Sequence, residues 1–246
     1  MTARLLLIED DASIARFVEL ALEELPGHDP AAPPVVLHVV RQVAEARQAL
    51  EAGGWQLVIS DLMLPDGSAE TLLAEGYAMA VGAPPWIVFS AGVHADRHLA
   101  LAARGVACTL RKPVPLAELL ATVAEVLRHG STPPAPLATA AAADPVQQHF
   151  GGDRALYESF LAGCIAQFAD DLAQGDAALA SGDTAALCRV AHALKAVLEL
   201  IGQPQLAAQA RALEAAAAAG AGSDALPLGW AGLAQGLATL GARRHS

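Results

Sequence analysis

Aromatic side chains are scarce in this sequence, at 4% of 246 residues, and charged residues make up only 17%. Yet 54% of the chain is hydrophobic. Alanine therefore carries much of the apolar count, which favours helices because Ala loses no side-chain entropy on entering one. Cations are few: 15 Lys and Arg stand against 26 Asp and Glu, a formal charge of −11. A chain this acidic lacks the basic footprint of a nucleic-acid binder. Three cysteines, Cys108, Cys164 and Cys188, are widely spaced and form no CxxC, and they read as reduced, packed thiols. No apolar run reaches the length of a membrane span, because Pro, Gly or charge interrupts each candidate. The segment from Met1 to Ile8 is too short for a signal peptide and runs straight into three acids. These absences lead us to expect an acidic, soluble, cytoplasmic protein that binds neither nucleic acid nor membrane.

What is present divides in two. Residues 131–143, STPPAPLATAAAA, carry no charge and no amphipathic period, which is linker composition. The expected organisation is a first domain over 1–129, a Pro/Ala-rich linker over 130–143 and a second domain over 144–246. Before the linker, five short apolar runs (Arg4–Ile8, Val35–Val39, Leu57–Ser60, Trp86–Ser90 and Val106–Leu110) alternate with five amphipathic stretches (Ala12–Leu25, Val43–Ala52, Gly67–Glu75, Ala95–Arg104 and Pro115–Leu127). Continuous apolar runs suit strands covered on both faces. Strand–helix alternation predicts a doubly wound, five-stranded parallel sheet with right-handed crossovers.

In such sheets the reactive groups gather beyond the carboxyl ends of the strands. Those ends carry Glu9, Asp10 and Asp11 after the first run, Asp61 after the third, Ser90 at the fourth, and Arg111 and Lys112 after the fifth. Carboxylates converging on one spot repel each other, a conflict that a divalent cation resolves. Mg²⁺ prefers oxygen ligands and keeps room for water and phosphate. A lysine opposite the acids and a hydroxyl beside them complete a set suited to a phosphoryl group. Asp11 is expected to be a helix N-cap rather than a ligand.

The segments LLLIEDDASI, SDLMLPDGSAE, IVFSAG and TLRKPVP, in this order and spacing, resemble the receiver domain of bacterial response regulators. The resemblance covers roughly residues 3–128 and implies a flavodoxin-like fold. It implies that Asp61 accepts the phosphoryl group and that Glu9, Asp10, Asp61 and the Met63 carbonyl hold Mg²⁺. It further implies that Ser90 bonds the phosphoryl oxygens, that Lys112 pairs with the acyl phosphate, and that a cis peptide joins Lys112 to Pro113. Ile14, Ala15 and Val18 on the first helix would form an apolar docking patch. One departure stands out: Thr109 occupies a position where the family carries Tyr or Phe.

After the linker helical periodicity dominates, with helices expected over Asp153–Phe168, Asp170–Ala180, Thr184–Ile201, Gln205–Ala219 and Asp224–Leu240. Long helices with short connections indicate an up-down, all-α four-helix bundle. In RVAHALKAVLELIG, His192 and Lys195 share a face, with Leu194 and Leu198 turned inward and His192 turned to solvent. This stretch resembles the histidine phosphotransfer (HPt) domain, through His192, Leu194, Lys195 and Gly202 in register, with Leu206 and Leu213-Glu214 on the helix that packs next. The resemblance implies a phosphoryl-carrying His192 assisted by Lys195. Ala196 stands where the family usually has Gly.

Together these readings predict a phosphorelay protein that receives a phosphoryl group on Asp61 and carries one on His192, a phosphocarrier rather than an enzyme. Its partners would be a sensor histidine kinase, another response regulator, or both, with Mg²⁺ the only cofactor. The alternative is a phosphorylation-controlled binding or dimerisation module whose bundle performs no phosphotransfer. A nucleotide-binding enzyme is disfavoured by the lack of GxGxxG or P-loop.

Overall fold

A run of buried aliphatics can serve as a strand only if helices cover both faces of its sheet, and that requirement organises the N-terminal part of the chain. In the computed structural model, residues 2–90, 95–129, 144–220 and 225–242 are described. They fall into two compact units, Met1–Gly152 and Asp153–Ser246.

The first unit runs β1 (Ala3–Ile8), α1 (Ala12–Glu23), α2 (Leu25–His28), β2 (Val35–Val40), α3 (Val43–Ala52), β3 (Leu57–Asp61), β4 (Met63–Leu64), β5 (Gly67–Ser68), α4 (Glu70–Ala74), β6 (Trp86–Ser90), α5 (Ala95–Ala102), β7 (Val106–Arg111), α6 (Leu116–His129) and α7 (Pro145–Phe150). Five strands form a parallel sheet in the order β2-β1-β3-β6-β7, the flavodoxin-like arrangement. All five stand where the apolar runs lie. Leu5 to Ile8 and Leu57 to Ile59 are fully buried, whereas edge strand β2 leaves Val36 and Val39 exposed.

Two helices differ from expectation for local reasons. The stretch Ala12–Leu25 ends early because Pro26, which cannot donate a backbone hydrogen bond, opens the separate turn α2. The stretch Gly67–Glu75 loses its start to a hairpin that pairs Met63 with Ser68 and Leu64 with Gly67. Asp66 at the tip of that hairpin caps α3, accepting from the N–H groups of Val43 (2.7 Å) and Ala44 (3.0 Å). Ile14, Ala15 and Val18 form no surface patch: they are 4%, 6% and 0% exposed. Arg16, Glu19 and Glu23 are what α1 offers to solvent.

Residues 130–143, read as linker, lie outside the described residues. The short helix α7 beyond them belongs to the first unit, where Phe150 meets Phe17 of α1 edge to face, with ring centroids 5.8 Å apart.

The second unit contains α8 (Arg154–Ser181), α9 (Thr184–Leu200), α10 (Pro204–Ala218) and α11 (Ala225–Ala242). Each helix packs on the next and α11 closes back onto α8, giving a four-helix bundle. The two helices expected over Asp153–Phe168 and Asp170–Ala180 are one helix of 28 residues. No Gly or Pro stands between them, and Phe160, Cys164, Phe168, Gly175 and Ala178 continue one buried stripe. At the end of α8, Gly182 takes the left-handed conformation at φ 70°. Asp183 then caps α9 by accepting from the Ala186 N–H at 2.8 Å. No helix among the described residues is long and apolar enough to cross a membrane.

Gly175 is required by packing. A Cβ there would lie 2.1 Å from the Trp230 ring of α11, and the Trp230 indole N–H donates to Asp176 at 2.8 Å. Gly175→Ala is expected to destabilise the protein by about 1–3 kcal/mol through overpacking. Gly163→Ala on the same helix, where a Cβ meets nothing within 4 Å, should be neutral or stabilising by about 0.5–1 kcal/mol. Chemical denaturation of both variants checks the contrast.

Candidate functional site

Parallel strands all finish at one edge of the sheet, so short side chains placed just after them converge. Glu9 and Asp10 follow β1, Asp61 ends β3 and Lys112 follows β7. The Lys112 Nζ lies 2.7 Å from Glu9 Oε2 and 2.7 Å from Asp61 Oδ2. Glu9 is 1%, Asp61 4% and Lys112 8% exposed. The remaining Asp61 oxygen accepts from the backbone N–H groups of Leu62 and Met63, so the carboxylate is held in one orientation. Asp11 is the N-cap of α1, its Oδ1 accepting from Ile14 N–H at 2.7 Å, as the sequence predicts. The Arg41 guanidinium donates to the Asp10 carbonyl at 3.2 Å. The peptide between Lys112 and Pro113 is cis.

One carboxylate oxygen from each of Glu9, Asp10 and Asp61 lies within 4.8 Å of the others. Three carboxyl groups thus face the single ammonium of Lys112. Burial pushes Glu9 up to about 8 and also raises Asp10, where the Asp61 charge adds to it. Burial opposes the charge on Lys112, but Asp61 and Glu9 outweigh it and keep the ammonium protonated well above the usual lysine range. An all-oxygen donor set of three carboxyl groups fits a hard divalent cation such as Mg²⁺.

Met63 stands two residues beyond Asp61 in β4 with its N–H turned toward Asp61 Oδ1. Ser90 is the last residue of β6, in register with Arg111, and its side chain lies outside the described residues. Thr109, at the position of the missing aromatic, hydrogen-bonds through Oγ1 with His98 Nδ1 of α5.

The second unit gathers a different group. His192 Nδ1 is 2.5 Å from Glu214 Oε1, and the Lys195 ammonium donates to Glu214 Oε2 at 2.6 Å. The pattern that turns His192 to solvent meets α10 instead. Glu214 lies against the imidazole, and only 14% of the His192 side chain is exposed. Burial would raise Glu214, but hydrogen bonds from His192 and Lys195 overcome it and bring the carboxyl down to about 2. An ionised carboxylate only accepts, so His192 Nδ1 is the donor. In the neutral ring this places the lone pair on Nε2. Leu194 and Leu198 are buried, as the spacing predicts, and so are Ala196 and Val197.

Motif reading sets Leu213-Glu214 on the next helix without giving Glu214 a role; the structure brings its carboxylate against His192 and Lys195. Its signal is arithmetic: a hairpin of α9 and α10 turning near 202 brings positions summing to about 404–406 side by side, which sets 192 near 212–214. Asp66 is legible in the same way only once the hairpin at Met63–Ser68 is known.

With this geometry established, comparison with known proteins places the likeness in the N-terminal half. No family model matches the chain, and no curated protein does. Among solved structures, the chain is similar to the signal receiver domain of a Luxo-repressor-type protein from Vibrio parahaemolyticus, at 27% identity and TM-score 0.46, covering 52% of this chain and 92% of that one. It is also similar to the non-phosphorylated HemR receiver domain from Leptospira biflexa, at 25% identity and TM-score 0.44, covering 55% and 99%. A two-component response regulator from Clostridium difficile matches at 21% identity and TM-score 0.45, covering 53% and 99%.

The Glu214 pair predicts a pH dependence. A carboxyl held at about 2 when folded and near 4.5 when unfolded adds stability that is full above pH 5 and lost as pH falls toward 2. The difference in unfolding free energy between wild type and Glu214→Gln should therefore shrink steadily between pH 5 and pH 2. A constant difference across that range would contradict the assignment.

Proposed function

We propose that the chain is a two-site phosphorelay protein: a receiver-like unit that accepts a phosphoryl group on Asp61, and an HPt-like bundle that carries one on His192. The observation that carries this reading is the convergence of Glu9, Asp10, Asp61 and Lys112 at one strand edge, with the buried Asp61 carboxylate held in one orientation.

Asp61 is the nucleophile. One of its oxygens bonds to phosphorus as the donor's leaving group departs, forming an acyl phosphate. Lys112, already within hydrogen-bond reach of Asp61, follows the charge that moves onto the phosphoryl oxygens. A divalent cation bound by Glu9, Asp10 and Asp61, with the Met63 carbonyl as a further donor, would supply the remaining positive charge there. Ser90 is the proposed hydroxyl donor.

In the bundle, Glu214 holds Nδ1–H of His192 and so presents Nε2 for in-line attack on an acyl phosphate. The new P–N bond replaces the P–O bond to the aspartate, which leaves as carboxylate. Lys195, anchored by Glu214, stands one turn along the helix to meet the phosphoryl oxygens. The partners would be a histidine kinase, another response regulator, or both, and the chain acts as a carrier rather than as an enzyme.

Two arms of one experiment test the two halves. A small acyl-phosphate donor with Mg²⁺ should place base-labile label on wild type and on His192→Gln, and none on Asp61→Asn or in EDTA. Lys112→Ala should slow the reaction by about 10²–10³. Labelled His192→Gln mixed with unlabelled Asp61→Asn should then transfer acid-labile, base-stable label to the latter. Label on Asp61→Asn from the small donor overturns the first half, and absence of transfer overturns the second.

A further inference from the structure

The first unit holds a buried titratable group that the proposed chemistry does not use. His149 lies in α7 and is 5% exposed, with its Nδ1 buried and, among the described residues, without a hydrogen-bond partner. The helix that carries it is a single short segment seated by three buried side chains, Val146, His149 and Phe150. Phe150 packs edge to face on Phe17 of α1, and α7 also packs on α6.

The charged groups of the surrounding elements are engaged elsewhere. On α1, Arg16 pairs with Glu19 and Glu23. On α6, Arg128 pairs with Glu125 and with Asp29 beyond α2, and His129 faces Glu125. Glu118, in the first turn of α6, is itself raised by burial. On α7's own side, Asp144 is occupied in capping Val146 N–H. None of these meets His149 Nδ1, and burial alone lowers the basicity of its ring.

We propose that α7 is an acid-released latch: protonation of His149 detaches Pro145–Phe150 from α1 and α6 and uncovers Phe17. A docked imidazolium would place a second N–H, with charge, where no acceptor stands among the described residues. A released one is solvated. Gly151 and Gly152 follow α7 and end the first unit.

The sign follows from the ring being less basic docked than free. Docking is fully favoured above the free value of 6.5 and weakens by up to tenfold per pH unit below it, until the docked ring itself protonates. Amide hydrogen exchange of the full-length chain, corrected for intrinsic rates, reads the opening of α7 and of the adjoining turn of α1. From pH 7.5 to 5.5 the opening constant should rise at least twofold and up to about tenfold in wild type. It should stay constant in His149→Leu. A rise of less than twofold in wild type overturns the latch, as does an equal rise in His149→Leu. Should the leucine variant be open at both pH values, the wild-type imidazole resonance of His149 still decides. A titration midpoint below 6.5 that coincides with the opening supports the latch, and a midpoint at or above 6.5, or one separate from the opening, overturns it.

Discussion

Lys112 is the constraint on which the N-terminal unit turns. Its ammonium bonds Glu9 and Asp61 at 2.7 Å each in a pocket almost closed to water. Removing one partner of such a pair leaves an unpaired buried charge at a cost of about 3–5 kcal/mol. The ion triad also ties together three parallel strands: β1 and β3 are neighbours, and β7 lies beyond β6. Lys112 satisfies only part of the charge it faces. Burial raises Glu9 to about 8, and three carboxyl groups gathered around one ammonium form an all-oxygen set that fits a divalent cation.

The bundle solves the inverse problem. There a single carboxylate, Glu214, meets two nitrogen groups, His192 Nδ1 and Lys195 Nζ, and is held ionised at about 2. An ionised acceptor on Nδ1 fixes which ring nitrogen carries the proton. In the first unit three carboxyl groups share one ammonium, whereas in the second one carboxylate is shared by two nitrogen groups.

Much of this was legible in the sequence, and for a definite reason. Strand ends in a parallel sheet are read directly from where apolar runs stop, so Glu9, Asp10, Asp61 and Lys112 could be grouped before any coordinate was known. His192 and Lys195 were legible because they lie three residues apart on one helix. Contacts set by pairing between elements were harder to see. Glu214 depends on the register of α9 against α10, and Asp66 on a hairpin that the helix-like stretch Gly67–Glu75 concealed. The sequence reading divides α8 at Ala169, where the structure has one continuous helix. The buried stripe from Phe160 to Ala178 shows that tertiary packing settles the matter. Ile14, Ala15 and Val18 illustrate the same limit: helical spacing identifies an apolar face, but only the fold tells whether that face is covered.

The account rests on Asp61 being a carboxylate nucleophile poised beside Lys112 and a bound divalent cation. Fluoroberyllate, which occupies the position of a phosphoryl group on a carboxylate, reports this without turnover. Fluorine NMR of the full chain with Mg²⁺ should show a bound resonance set that disappears in EDTA and in Asp61→Asn. The same bound resonances in Asp61→Asn, or none in wild type at saturating Mg²⁺, would contradict it.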